Sequence, residues 1–107
     1  MKIVRTTRYI RDLKRLRVSA QDVARLEQAI AADPTVGDVI PGLGGMRKLR
    51  FGIGNQGKRG GGRAIYFLML ADDVALMLHV YSKSDKGDLT TLDRRILSEI
   101  VKEYDNG

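Results

Sequence analysis

Arg47, Lys48, Arg50, Lys58, Arg59 and Arg63 lie in a stretch, Val39 to Ala71, that holds no acidic residue and nine of the chain's twelve glycines. These six cations equal the formal net charge of +6, so the remaining 13 basic residues are balanced by the 13 acidic ones. The chain is therefore not diffusely basic. A concentrated, uncompensated patch suits a polyanionic partner, with nucleic acid the first candidate. Charge alone equally allows an anionic membrane or an acidic protein. The one histidine, His79, has the right acidity for proton transfer, but it sits in an apolar run where a structural role is the simpler reading.

The rest of the chain limits what can position these groups. At 107 residues, with 43% hydrophobic and 30% charged residues, it has room for a single globular domain spanning 1–107. Without cysteine there is no disulfide and no thiolate chemistry, which fits a cytoplasmic setting. One histidine and no cysteine argue against a structural zinc site. Met1 to Leu16 lacks the apolar core of a secretion signal, and the apolar run Ala64 to Ala71 is too short to cross a bilayer.

Periodicity places the elements. Met1 to Arg5 reads as a short strand. Thr6 or Thr7 can cap a helix to about Arg17, with Tyr9, Ile10, Leu13 and Leu16 on one face. Ser19 and Asp22 begin a second helix in capping-box fashion. Its stripe is Val23, Leu26, Ala29 and Ile30, and Asp33-Pro34 ends it. Thr35 to Gly45 reads as loop. Met46 to Ile53 alternates, with Leu49, Phe51 and Ile53 on one face and Lys48 and Arg50 on the other.

Arg63 to Leu70 and Val74 to Tyr81 are almost continuously apolar and are joined at Asp72-Asp73, which predicts an antiparallel hairpin of central strands covered by helices on one side. After a polar loop, Thr90 and Asp93 can cap a last helix carrying Leu92, Ile96, Ile100 and Tyr104. The order β-α-α-β-β-β-α is that of an α+β domain with a small, mostly antiparallel sheet.

Two phosphate-binding patterns fit only on paper. Gly52 to Gly57 satisfies G-x-G-x-x-G, and Gly52 to Lys58 nearly satisfies a phosphate loop. Both work because a helix starts within them, and here glycines and a strand follow instead. The bland alternative is a hairpin connection kept soluble by charge. Against it, Lys48, Arg50 and Arg63 come from strands, where a rigid sheet can hold reactive groups, whereas Lys58 and Arg59 ride on the glycine-rich loop.

These residues resemble the RelE/ParE superfamily of toxins from type II toxin–antitoxin systems, most nearly its RelE/HigB-like branch. The match runs through Gly37-Asp38-Val39-Ile40-Pro41-Gly42, then Arg47-Lys48-Leu49-Arg50, then Gly57-Lys58-Arg59-Gly60-Gly61 with Arg63, Ile65 and Tyr66. Tyr81, Lys83, Lys86, Asp88 and Leu89 close it. The resemblance implies the same β-α-α-β-β-β-α fold and a metal-independent, cofactor-free endoribonuclease. Such a toxin cuts mRNA on the ribosome, inhibits translation and is silenced by a cognate antitoxin, here expected to be a small DNA-binding protein. No membrane partner is implied.

It also implies roles. The chemistry is attack of a ribose 2′-oxygen on the adjacent phosphodiester, which needs a base, an acid and stabilisation of the extra negative charge. Arginine is a fixed cation suited to clamping phosphate. Lys48, beside Arg47 and Arg50, is the candidate base or proton shuttle if neighbouring cations favour its neutral form. Arg50 and Arg63 are the candidate transition-state stabilisers. The family's later arginine has no clear counterpart, and Lys83 or Lys86 can replace it. Tyr81 is a candidate base-stacking residue or a core aromatic. Arg47, Lys58 and Arg59 are candidates for gripping RNA. Two alternatives stay open: a non-enzymatic, ParE-like toxin that binds DNA gyrase, and a degenerate RNA-binding module.

Overall fold

A computed structural model describes residues 1–54 and 61–105. The chain runs β1 (Lys2–Arg5), α1 (Thr7–Arg15), α2 (Ala20–Ala32), β2 (Asp38–Val39), β3 (Arg47–Phe51), β4 (Gly62–Met69), β5 (Val74–Ser82) and α3 (Thr91–Asp105). One five-stranded sheet has the order β1-β5-β4-β3-β2. Only the β1–β5 pairing is parallel. The expected α+β class, element order and β4–β5 hairpin all hold. The two-residue strand β2 is additional to the sequence reading, which places loop there.

Local chemistry sets the boundaries. The Thr6 hydroxyl accepts from Tyr9 N at 3.3 Å and starts α1, while Ser19 Oγ accepts from Asp22 N at 3.1 Å and starts α2. At α3 the box is reciprocal: Asp93 N donates to Thr90 Oγ1 at 3.0 Å, and Thr90 N donates to Asp93 Oδ2 at 2.9 Å. Asp33, before Pro34, is extended and ends α2. A 3₁₀ turn, Leu70–Asp72, with Asp73 left-handed at φ 53°, closes the hairpin.

The sheet has a core on each face, which corrects the expectation of helices on one side only. On the first face, Tyr9, Leu26 and Ile30 from α1 and α2 pack on Phe51, Ala64, Tyr66, Ala75, Met77 and Val80. On the second, Leu97 of α3, with Ile40, Leu43, Met46 and Leu89 from the connecting segments, packs on Ile65, Leu76, Leu78 and Tyr81. Burial on both faces is why β4 and β5 read as continuous apolar runs.

Three expected faces shift. Ile10 is exposed, and the buried neighbour of Tyr9 on α1 is instead Asp12. Ala29 lies outside the α2 core. On α3, Leu92 and Tyr104 are exposed, and Asp93, Leu97, Ile100 and Val101 turn inward.

Candidate functional site

Alternation on β3 separates the cations. Leu49 and Phe51 join the first core, so Lys48 and Arg50 face the second side of the sheet. Ladder register then aligns the rest. Arg50 pairs with Arg63, which pairs with Tyr81; one row along, Lys48 pairs with Ile65, which pairs with His79. Lys48, Arg50 and Arg63 thus stand together on one face, as the sequence reading expects. Val36, Asp38, Lys48, Leu49 and Arg50 line a shallow, open depression of about 360 Å³. Arg63 is buried, and its guanidinium donates to Gly62 O at 3.3 Å.

The surroundings of Lys48 run against the expected route to a base. Asp38 stands opposite it in the β2–β3 ladder, and Asp88 Oδ1 lies 3.8 Å from its Nζ. Arg50 remains beside Lys48 on the same strand face, but two carboxylates also flank the lysine, and of the two arginines on which the sequence reading relied only Arg50 is near. Arg47 points to the opposite face, where its guanidinium donates to Gly37 O at 2.8 Å and Thr35 O at 3.3 Å. It braces the loop before β2 and stands apart from the cation row.

Tyr81 is fully buried, so the core-aromatic alternative holds and its ring has no face open to a base. It stacks on His79 at 5.6 Å between centroids, and Lys86 Nζ lies 5.0 Å from its ring centre. Burial raises the pKa of its phenol and Asp88 adds to this, while Arg63 and Arg94 oppose it. Its hydroxyl is the one buried side-chain polar atom without a hydrogen-bond partner among the described residues. Lys83 is exposed, with its backbone N donating to Gly61 O at 3.2 Å, so it stands outside the cluster formed by Lys86. Lys58 and Arg59 lie outside the described residues.

The sequence reading misses a buried polar cluster behind Tyr81. His79 Nδ1 lies 2.6 Å from Asp12 Oδ2, and its Nε2 lies 3.0 Å from Lys86 Nζ. Lys86 also donates to Asp93 Oδ2 at 2.6 Å, and Arg8 donates to Asp93 Oδ1 at 3.1 Å. Asp12 accepts a further bond from Val80 N at 3.0 Å. Burial works to raise the Asp93 pKa, but the hydrogen bonds from Lys86 and Thr90 win and hold it at about 2.

A bulge aims the histidine. Ile65 pairs with His79 but Tyr66 pairs with Met77, so Leu78 is an extra residue and the alternation of β5 breaks there. Two signals pointed to the cluster: the lone histidine in an apolar strand, and Asp12 three residues after Tyr9 on the buried side of a basic helix.

No family model matches the chain. Among solved structures, it is similar to a doubly substituted variant of the toxin RelE from E. coli in the free state, with 14% identity. The likeness covers 80% of this chain and 86% of that one, with a TM-score of 0.54. No helix among the described residues is long and apolar enough to cross a membrane. The chain therefore has a RelE-like fold, carrying a cation row on the sheet face that α3 and the 82–89 loop border.

Proposed function

We propose that this protein is the toxin of a type II toxin–antitoxin system and acts as a metal-independent, ribosome-dependent mRNA endonuclease. The observation that carries this reading is the row Arg50–Arg63 on a RelE-like sheet, with Lys48 beside it and Lys86 over Tyr81. Fixed cations held by paired strands suit a phosphate that gains negative charge during reaction. The similarity to RelE supports the same reading. A cytoplasmic setting and a cognate antitoxin follow from it.

In the proposed step the ribose 2′-oxygen bonds to the adjacent phosphorus and the bond from phosphorus to the 5′-oxygen breaks, leaving a cyclic phosphate. Arg50, Arg63 and Lys86 offset the charge on the phosphorane-like state. The 2′-hydroxyl proton goes to the Asp88 carboxylate, directly or through Lys48. The Lys48 ammonium, 3.8 Å from that carboxylate, can return a proton to the leaving 5′-oxygen.

The test is inducible expression followed by primer-extension mapping of mRNA 5′ ends, with wild type beside Lys48→Ala, Arg50→Ala. Growth arrest with cuts confined to translated regions, lost in the double variant, is the expected result. Arrest with intact mRNA and inhibited DNA supercoiling would point to a gyrase-binding toxin instead. Salt-sensitive RNA binding with neither arrest nor cutting would mark a binding module.

A further inference from the structure

Lys86 is held by an arrangement whose protons can be assigned. A lysine ammonium only donates, so the Nε2 facing it must carry a lone pair. The His79 proton then sits on Nδ1 and is donated to Asp12. Arg8 Nε also points at this Nδ1 from 3.3 Å, a longer and weaker approach than the 2.6 Å contact with Asp12, which takes the proton; the ion pair of Arg8 is with Asp93. Lys86 thus spends two of its three N–H donors inward, on His79 Nε2 and Asp93 Oδ2. Its side chain is 25% exposed, whereas that of His79 is only 3% exposed. The histidine cannot reach a substrate, and the lysine can.

We propose that Asp12 and His79 are positioning residues that fix the place and orientation of Lys86, so that its third N–H is directed to the scissile phosphate. The inference rests on the function proposed above. Asp12 fixes the imidazole tautomer, the neutral imidazole and Asp93 fix the ammonium, and the Tyr81 ring supports it from below. The groups that face His79 are Arg8 and Asp12 from α1, Lys86 from the loop and Tyr81 from its own strand; Asp93 of α3 reaches it through Lys86.

The experiment compares wild type with His79→Leu, His79→Gln and Asp12→Asn in two readouts. The first is the rate at which Lys86 is acylated by an amine-reactive ester, read by mass spectrometry against exposed Lys83. The second is steady-state mRNA cleavage on purified ribosomes, which separates kcat from KM. Thermal unfolding confirms that each variant is folded.

In wild type Lys86 reacts more slowly than Lys83. In His79→Leu it reacts as fast as Lys83, and kcat falls about 100-fold with KM little changed, the size expected when a reacting group is misplaced. Glutamine can accept from Lys86 and donate to Asp12, so His79→Gln restores protection and most of the rate. Asp12→Asn falls between the two. Equal Lys86 reactivity in every folded variant, or a kcat that His79→Leu leaves unchanged, would overturn the proposal. A wild type that cuts no mRNA while Lys86 protection follows this order instead overturns the function and leaves the lysine-holding arrangement standing.

Discussion

Arg50 and Arg63 stand directly opposite each other across the β3–β4 ladder, two like charges on one sheet face. Opposed like charges on a ladder do not themselves stabilise a strand pair, and the Arg63 guanidinium is buried and bonded to Gly62 O whereas Arg50 is exposed. Arg50→Ala is therefore expected to leave stability unchanged or to raise it by up to about 0.5 kcal/mol. The same change weakens RNA binding and makes its salt dependence shallower by about one counterion. Urea unfolding and a fluorescence-anisotropy salt titration measure the two effects. A marked loss of stability with an unchanged salt slope would assign Arg50 to the fold instead.

Asp88 brings to Lys48 the negative charge that the β3–β4 segment excludes. In the proposed reaction it takes a proton, yet it also competes with phosphate for the lysine. Asp88→Asn should therefore tighten RNA binding while lowering kcat by about 100-fold or more, the usual range for losing a general base. Stability should change by less than about 1 kcal/mol, because the pair is long and Asp88 is exposed. Steady-state cleavage on ribosomes separates KM from kcat. Lower KM with unchanged kcat would make Asp88 a competitor only.

Gly62 sits where β4 begins and pairs with Phe51 at the end of the β3–β4 ladder. A Cβ there would lie 2.6 Å from one ring carbon of Phe51 and 2.8 Å from Ile53 Cδ1. The backbone angle is ordinary, so the requirement for glycine is one of space. Gly62→Ala is expected to cost about 1–3 kcal/mol, measured by chemical denaturation. Gly44→Ala offers a contrast: its new methyl meets nothing within 4 Å, but φ is +62°, so its cost is backbone strain of about 1 kcal/mol.

What was legible in the sequence was local. The caps at Thr6, Ser19 and Thr90, the alternation of β3 and the turn at Asp72-Asp73 each involve residues within a few positions of one another. Strand β2 was not legible because two residues between a helix end and Pro41-Gly42 carry no period, and only β3 makes them a strand. The stripe expected on α3 held at Ile100 but not at Leu92 or Tyr104, because steps of four drift around a helix, and the packing of α3 on the sheet selected Leu97 and Val101 beside Ile100.

The three strand-borne cations were legible because a sheet carries period two across a ladder. The His79 cluster was not, since Asp12 and His79 are 67 residues apart and a bulge turns the histidine. The carboxylate environment of Lys48 was equally hidden, because Asp88 lies 40 residues away and only the folded loop brings it to Lys48.

Asp93 ties α3 to α1 and to the 82–89 loop through Arg8 and Lys86, and its charge is a stability determinant with a defined pH window. Its pKa in the fold is about 2, against 3.8 for an ordinary aspartate. A lowered value means that the carboxylate stabilises the fold fully above the unfolded value and ceases to do so as pH falls through the folded one. The contribution is about 1–2 kcal/mol once solvent screening is allowed for.

It should disappear between about pH 4 and pH 2. Asp93→Asn keeps a side-chain oxygen for the Thr90 cap but removes the charge that pairs with Lys86 and Arg8. The variant is expected to be less stable than wild type at neutral pH, with the difference closing through that window. Urea unfolding at a series of pH values measures it. A difference that stays constant down to pH 2 would mean that the carboxylate acts through its shape and its cap rather than through its charge.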